Sequence, residues 1–194
     1  MTAPATVLQA ASVLLQYPDE RVRAAFPVVR EAAPVVRGAL DAMEAMTPLA
    51  LQEHYVQVLD QKRQCCLYLT WWTEGETRRR GLALARLKEL YRARGFELVS
   101  KGLPDFLPVV LEFAASETEL GLALLQEHRA ALELLRLALL EAASPYAGAV
   151  AAGEVDRAVG PLQQPQLGHR ELQRLPTGVV GRARDGDGAA GDEG

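Results

Sequence analysis

The run TELGLALLQEHRAALELLRLALLEAA, residues 118–143, does most to limit what this chain can fold into. Leucine and alanine recur in it at spacings of three and four, which is one face of a helix, and both residue types favour helix intrinsically. The run is long for a single globular helix, so two helices bending near Glu127 to Arg129 are expected. Ser116, Glu117, Thr118 and Glu119 read as a capping box that opens it, and Ser144-Pro145 closes it. Only 6% of the chain is aromatic against 49% hydrophobic, so Leu, Ala and Val must supply the packing. With 194 residues there is enough apolar material for one sizeable core. The class expected is all-α, a single-domain helical bundle.

The rest of the chain extends this pattern. Val7, Leu8, Ala11, Leu14 and Leu15 sit at helical spacing and Pro18 ends their run, so a helix is expected over about Thr6 to Tyr17. Asp19 is placed to cap the segment that follows, in which Pro27 and Pro34 impose a break or kink. Thr47-Pro48 is an N-cap with proline at the first helical position. That helix runs to about Asp60 with Leu51, Tyr55, Val58 and Leu59 on one face. Glu76 and Thr77 start another, whose apolar face is Leu84, Leu87, Leu90 and Tyr91, and Gly95 stops it in a left-handed conformation. Asp105 reads as an N-cap, with Pro108 in the first turn of the next helix. From about Gly153 the hydrophobic spacing is lost and Gly, Pro, Gln and Asp take over. The expected organisation is a helical domain over 1–152 and a disordered tail over 153–194.

Composition and spacing exclude several kinds of chemistry. The formal net charge is −4, which argues against a general binder of nucleic acid or anionic membranes. The N-terminal apolar run is short and has no basic residue before it, and no segment has eighteen consecutive apolar residues. A soluble cytoplasmic protein is expected. His54, His128 and His169 have no cysteine or second histidine at ligand spacing, so no metal site or cofactor is expected. No serine–histidine–acid order, Walker loop, dinucleotide glycine motif or paired-carboxylate motif stands out, so the chain reads as a non-enzyme.

The stretch CCLYLTWWTEGETRRRG, residues 65–81, holds both cysteines, both tryptophans and a triple arginine. Cys65 and Cys66 beside Leu-Tyr-Leu read as small buried apolar residues rather than nucleophiles. By periodicity CLYLTWW fits either a buried strand or a helical turn; with no convincing strand to pair with, a helix or an irregular packed segment is favoured. Arg78, Arg79 and Arg80 open a helix, where positive charge opposes the macrodipole, so an acidic partner is expected inside the fold or outside it. Adjacent tryptophans on a helix point about 100° apart. Either both are core, or one is core and the other lines a groove, and tryptophan and arginine are the residue types enriched at interface hot spots.

Four segments in a fixed order carry a family resemblance: HYVQVLD at 54–60, CLYLTWW at 66–72, GETRRRG at 75–81 and LPDFLPVVLEF at 103–113, with Tyr17-Pro18-Asp19 before them. Together they resemble the NarJ-type nitrate reductase assembly chaperones, a branch of the TorD/DmsD superfamily, over roughly residues 6 to 150. Two positions depart from the pattern: Phe106 stands where histidine is frequent, and Leu59 where an aromatic is expected. The resemblance implies an all-helical cytoplasmic chaperone without catalytic activity. Its implied partner is the apo α subunit of respiratory nitrate reductase, including that subunit's N-terminal peptide. The chaperone would keep this client competent for molybdenum cofactor insertion before membrane attachment. Alternatives are a chaperone for another molybdoenzyme of the dimethyl sulfoxide reductase family, or a helical regulatory domain that binds an apolar ligand.

A helix-in-groove mode needs an apolar trough and a few orienting polar groups. Tyr68, Trp72, Tyr91 and Phe106 are the candidates for aromatic surface. Arg78, Arg79, Asp105 and Glu112 are the candidates for orienting the client peptide. The expected state is a monomer or weak dimer with no nucleic acid partner and no membrane insertion.

Overall fold

The computed structural model describes residues 3–99, 102–153 and 180–182. The chain is built from helices α1 (Pro4–Leu14), α2 (Glu20–Ala24), α3 (Phe26–Ala32), α4 (Arg37–Glu44), α5 (Pro48–Tyr55) and α6 (Leu69–Glu74). After these come α7 (Arg78–Ala93), strand β1 (Phe96–Leu98), α8 (Leu107–Ser116), α9 (Thr118–Glu127), α10 (Arg129–Glu141), α11 (Tyr146–Gly153) and strand β2 (Val180–Arg182). The all-α class stands. Of the expected tail, only Gly153, the last residue of α11, and 180–182, which form β2 and pair antiparallel with β1, lie among the described residues.

The centre of the molecule is made by helices with no polar face. Every residue of α1 from Thr6 to Leu14 is buried, and so is every residue of α8 from Leu107 to Ala115. A helix apolar all round has no side to give to water and must be surrounded. These two helices pack on each other, and α11, buried from Ala149 to Gly153, packs on α1. A polar bond also joins these helices: the Ser12 hydroxyl on α1 donates to the Pro108 carbonyl on α8 at 2.8 Å. Around the centre lie amphipathic helices such as α10, which turns Leu132, Leu135 and Leu139 inward and leaves Leu134, Leu137 and Leu140 outside. Helices α8 and α9 meet at Gly121, where an added Cβ would lie 2.2 Å from the Ala114 Cα, so nothing larger than glycine fits there.

Local signals placed most boundaries. Pro27 and Pro34 divide the 20–44 segment into α2, α3, a 3₁₀ turn and α4. The break expected near Glu127–Arg129 falls between α9 and α10. Gly95 ends α7 with φ +73°. The helix from Thr47 is α-helical only to Tyr55 and widens into a π turn over Val56–Asp60. The capping box at 116–119 does not form: α8 runs through Ser116, and Glu117 stands at the N-cap of α9 without a side-chain bond. Because only one residue separates the two helices, Ser116 is spent as the last residue of the first.

Candidate functional site

Asp105 organises the region that the motifs define. Its side chain is fully buried. Asp105 does not take the expected N-cap role on α8, which begins at Leu107 and has Phe106 at its N-cap with no side-chain bond. Asp105 instead caps α6 from 35 positions away, with Oδ2 accepting from the Thr70 amide at 3.2 Å and from the Thr70 hydroxyl. Thr70 lies in the first turn of α6, where amides lack helical partners and the dipole favours a carboxylate. The backbone adds to this contact. Leu69 N–H donates to the Asp105 carbonyl at 3.0 Å, and Leu107 N–H to the Leu67 carbonyl at 2.8 Å. Tyr68 and Phe106 form an antiparallel bridge between these bonds. The segment 66–72 therefore satisfies both sequence readings: one strand-like bridge at Tyr68, then a helix.

The acidic partner expected for the triple arginine lies inside the fold, and the arginine that meets it is Arg80. Its Nε donates to the Thr70 hydroxyl at 3.2 Å, and a terminal nitrogen lies 3.7 Å from Asp105 Oδ2. The guanidinium also stands over the Tyr68 ring, 6.0 Å from its centroid. Arg78 and Arg79 are exposed at the start of α7. Reading the arginines as a block missed Arg80 and Thr70. The signal was present in Arg80, which precedes Leu84, Leu87 and Tyr91 by four, seven and eleven residues and so shares their inward face. Thr70 carried no such mark, since its role depends on a carboxylate far along the chain. Asp105 Oδ1, also buried, has no hydrogen-bond partner among the described residues.

The aromatic candidates divide. Tyr68 and Phe106 are half-buried and pack ring on ring at 5.3 Å. Trp72 is half-buried, packs against the main core, and donates from Nε1 to the Cys66 carbonyl at 3.0 Å. Trp71 is half-buried too, with the Arg63 guanidinium 5.4 Å above its ring. Tyr91 is not aromatic surface. It is 1% exposed, its hydroxyl donates to the Pro104 carbonyl at 2.8 Å, and its ring lies 4.7 Å from Phe113. It belongs to a second small core with Phe96, Val109 and Phe113, because its helix phase points it inward. Glu112 is likewise buried, on α8, and offers no accessible charge. Tyr68, Trp72, Asp105 and Phe106 thus share one joint with Thr70 and Arg80, whereas Arg78 and Arg79 lie outside it.

Beside the joint an open cleft of about 380 Å³ runs between α6, α7 and α9. Its walls include Thr70, Thr73, Leu87, Leu90, Leu124 and His128. Burial pushes the His128 pKa below the usual histidine value, and its Nδ1 is buried without a partner among the described residues. Burial also raises the thiols of Cys65 and Cys66, which disfavours the thiolate a nucleophile needs. Among the described residues no three His, Cys, Asp or Glu side chains are grouped as a metal ligand set. No helix among them is long and apolar enough to cross a membrane.

The fold and the joint define a protein of the all-α class whose motif residues hold helices together while leaving aromatic surface half-exposed. The family model described as nitrate reductase delta subunit matches residues 17–152, which include the whole joint, and the chain belongs to that family. It is similar to the nitrate reductase-like protein NarX of Mycobacterium tuberculosis, 39% identical over 152 residues, covering 75% of this chain and 23% of NarX. The probable nitrate reductase molybdenum cofactor assembly chaperone NarJ of Bacillus subtilis is 40% identical over 116 residues, 55% of this chain and 63% of that protein. The nitrate reductase molybdenum cofactor assembly chaperone NarJ of Escherichia coli K12 is 34% identical over 115 residues, 54% of this chain and 49% of its own length. The chain thus spans less than two thirds of each of these relatives.

Proposed function

We propose that this chain is a cytoplasmic, non-catalytic chaperone for the apo α subunit of a respiratory nitrate reductase. It binds that subunit, including its N-terminal peptide, and keeps it competent for molybdenum cofactor insertion before membrane attachment. The observation that carries the reading is that the family match spans the whole joint of Tyr68, Trp72, Arg80, Asp105 and Phe106. The relatives named as chaperones are all named for nitrate reductase, which favours this client over another molybdoenzyme. The joint suits peptide capture. Asp105 and Arg80 fix α6 against α7, so the half-exposed rings of Tyr68, Trp72 and Phe106 are presented without a large ordering cost on binding. Arg79, exposed at the rim, supplies charge that can orient a peptide end.

Calorimetry with a peptide of the α-subunit N-terminus tests this. Trp72→Ala is expected to weaken binding about tenfold, as loss of a hot-spot ring does. Arg79→Ala is expected to weaken it about threefold, as a rim charge does. Helicity by circular dichroism should be retained in both. Unchanged affinity in both variants rejects the joint as the client site. A pull-down from nitrate-respiring cells that recovers a different molybdoenzyme subunit rejects the client.

A further inference from the structure

Among the described residues, the β1–β2 pair is the place where the chain beyond the family match returns to the fold. The match ends at residue 152, yet Val180–Arg182 lies antiparallel to Phe96–Leu98, with Phe96 opposite Arg182, Glu97 opposite Gly181 and Leu98 opposite Val180. Among the described residues β1 has no other strand beside it. An unfilled strand presents a row of amides and carbonyls that will pair with any extended backbone that reaches it. Pairing of this kind draws on main-chain bonds and tolerates many sequences, which suits a segment of a polypeptide that has not finished folding.

β1 is also wired to the joint. The Phe96 ring stands edge-on to Phe113 at 5.5 Å, Phe113 packs on Tyr91 at 4.7 Å, and the Tyr91 hydroxyl holds the Pro104 carbonyl at 2.8 Å, one residue before Asp105. Whatever fills the edge of β1 therefore bears on the segment that caps α6. We propose that β1 is a strand-accepting edge, filled in the free chain by its own residues Val180–Arg182 and in the complex by an extended segment of the client. The identity of the client rests on the chaperone reading above; the self-occupied edge does not. Covalent linkage gives the tail an effective concentration on the order of millimolar, so the tail excludes weak strands and yields only to a client held at a second point. The joint provides that second point.

The test uses the full chain and a fluorescent peptide of residues 175–186 added in trans. Gly181→Pro breaks the internal strand, because proline lacks the amide donor and fits poorly within a ladder. Anisotropy is expected to show the peptide binding the Gly181→Pro chain at least ten times more tightly than the wild type. Adding Glu97→Pro, which spoils the acceptor, should remove that gain while circular dichroism keeps its helical signal. Equal binding to wild type and Gly181→Pro overturns the self-occupied edge. Displacement is read with a Glu97→Cys/Gly181→Cys chain, whose opposed positions are within disulfide reach, and reduced, alkylated lactalbumin as an unfolded probe. Oxidation is expected to lower probe binding at least fivefold relative to the reduced form, with wild type unaffected. Equal binding in both states, or none in either, overturns displacement by a client. Neither assay contains nitrate reductase, so a wrong client does not change its outcome.

Discussion

The α1–α8–α11 centre and the α6–α7 joint are built on opposite plans. In the centre nearly every side chain is apolar and buried, and stability follows from area: each fully buried leucine such as Leu8 or Leu111 contributes about 1.5–3 kcal/mol relative to exposure. In the joint the organising group is a buried carboxylate, and α7 buries only Leu87 and Tyr91 of its sixteen residues. A centre of this kind is insensitive to which leucine meets which, provided volume is kept. The joint is the reverse, since removal of one polar partner leaves another stranded in the interior. The centre gives a rigid base, and the joint offers a surface whose shape depends on a few named atoms.

Substitutions should separate the two plans in order of effect. Leu111→Ala in the centre is expected to cost about 3–4 kcal/mol, read as a lower urea midpoint, through lost transfer energy and the cavity left behind. Leu111→Met, which keeps the volume, should cost under about 1.5 kcal/mol. In the joint, Arg80→Met should cost about 2–3 kcal/mol although it keeps much of the side-chain length, because Asp105 loses its cation. Arg79→Ala should stay within about 0.5 kcal/mol of the wild type, since that side chain is exposed. In a cycle with Asp105→Asn, the Arg80 substitution should cost markedly less than it does alone. Equal effects at Arg79 and Arg80 would mean that the joint is held by packing alone.

How far this was legible depended on distance along the chain. The α9–α10 break, the end of α7 at Gly95 and the divisions at Pro27 and Pro34 are set by neighbours within a turn, and the pattern placed them all. Tyr91 shares the inward face of α7 with Leu84 and Leu87, so its burial was readable from helix phase, against its candidacy as aromatic surface. Asp105 shows the limit. Local rules give an aspartate before Pro108 to the helix that follows, but the carboxylate turned to Thr70, 35 positions back. No propensity carries that choice; it arises when segments 67–70 and 105–107 meet. The β1–β2 pairing is hidden for the same reason, because three residues in a Gly- and Pro-rich stretch have no strand period until β1 is beside them.

Proton linkage gives the finest probe of the comparison, because one half-buried histidine lies in each region. His54 lies against the centre, with Nε2 2.9 Å from the Ser144 hydroxyl and its ring stacked on Tyr146. His128 lies in the cleft beside the joint. Burial lowers both pKa values, with Lys62 adding to the fall at His54 and the charges of Glu127 and Asp105 opposing it at His128. The unfolded chain therefore takes up protons first as the pH drops. The stabilising contribution of each neutral ring is complete above the ordinary histidine value of about 6.5 and is lost as the pH falls through the lowered folded value. Urea midpoints between pH 7.5 and pH 5 should fall, and His54→Gln and His128→Gln should each flatten part of that slope. A client that reaches from the joint into the adjoining cleft would bury His128 further and leave His54 as it was. Client peptide should then steepen the acid slope of the wild type and of His54→Gln but not that of His128→Gln. Equal steepening in all three would place the client away from the cleft.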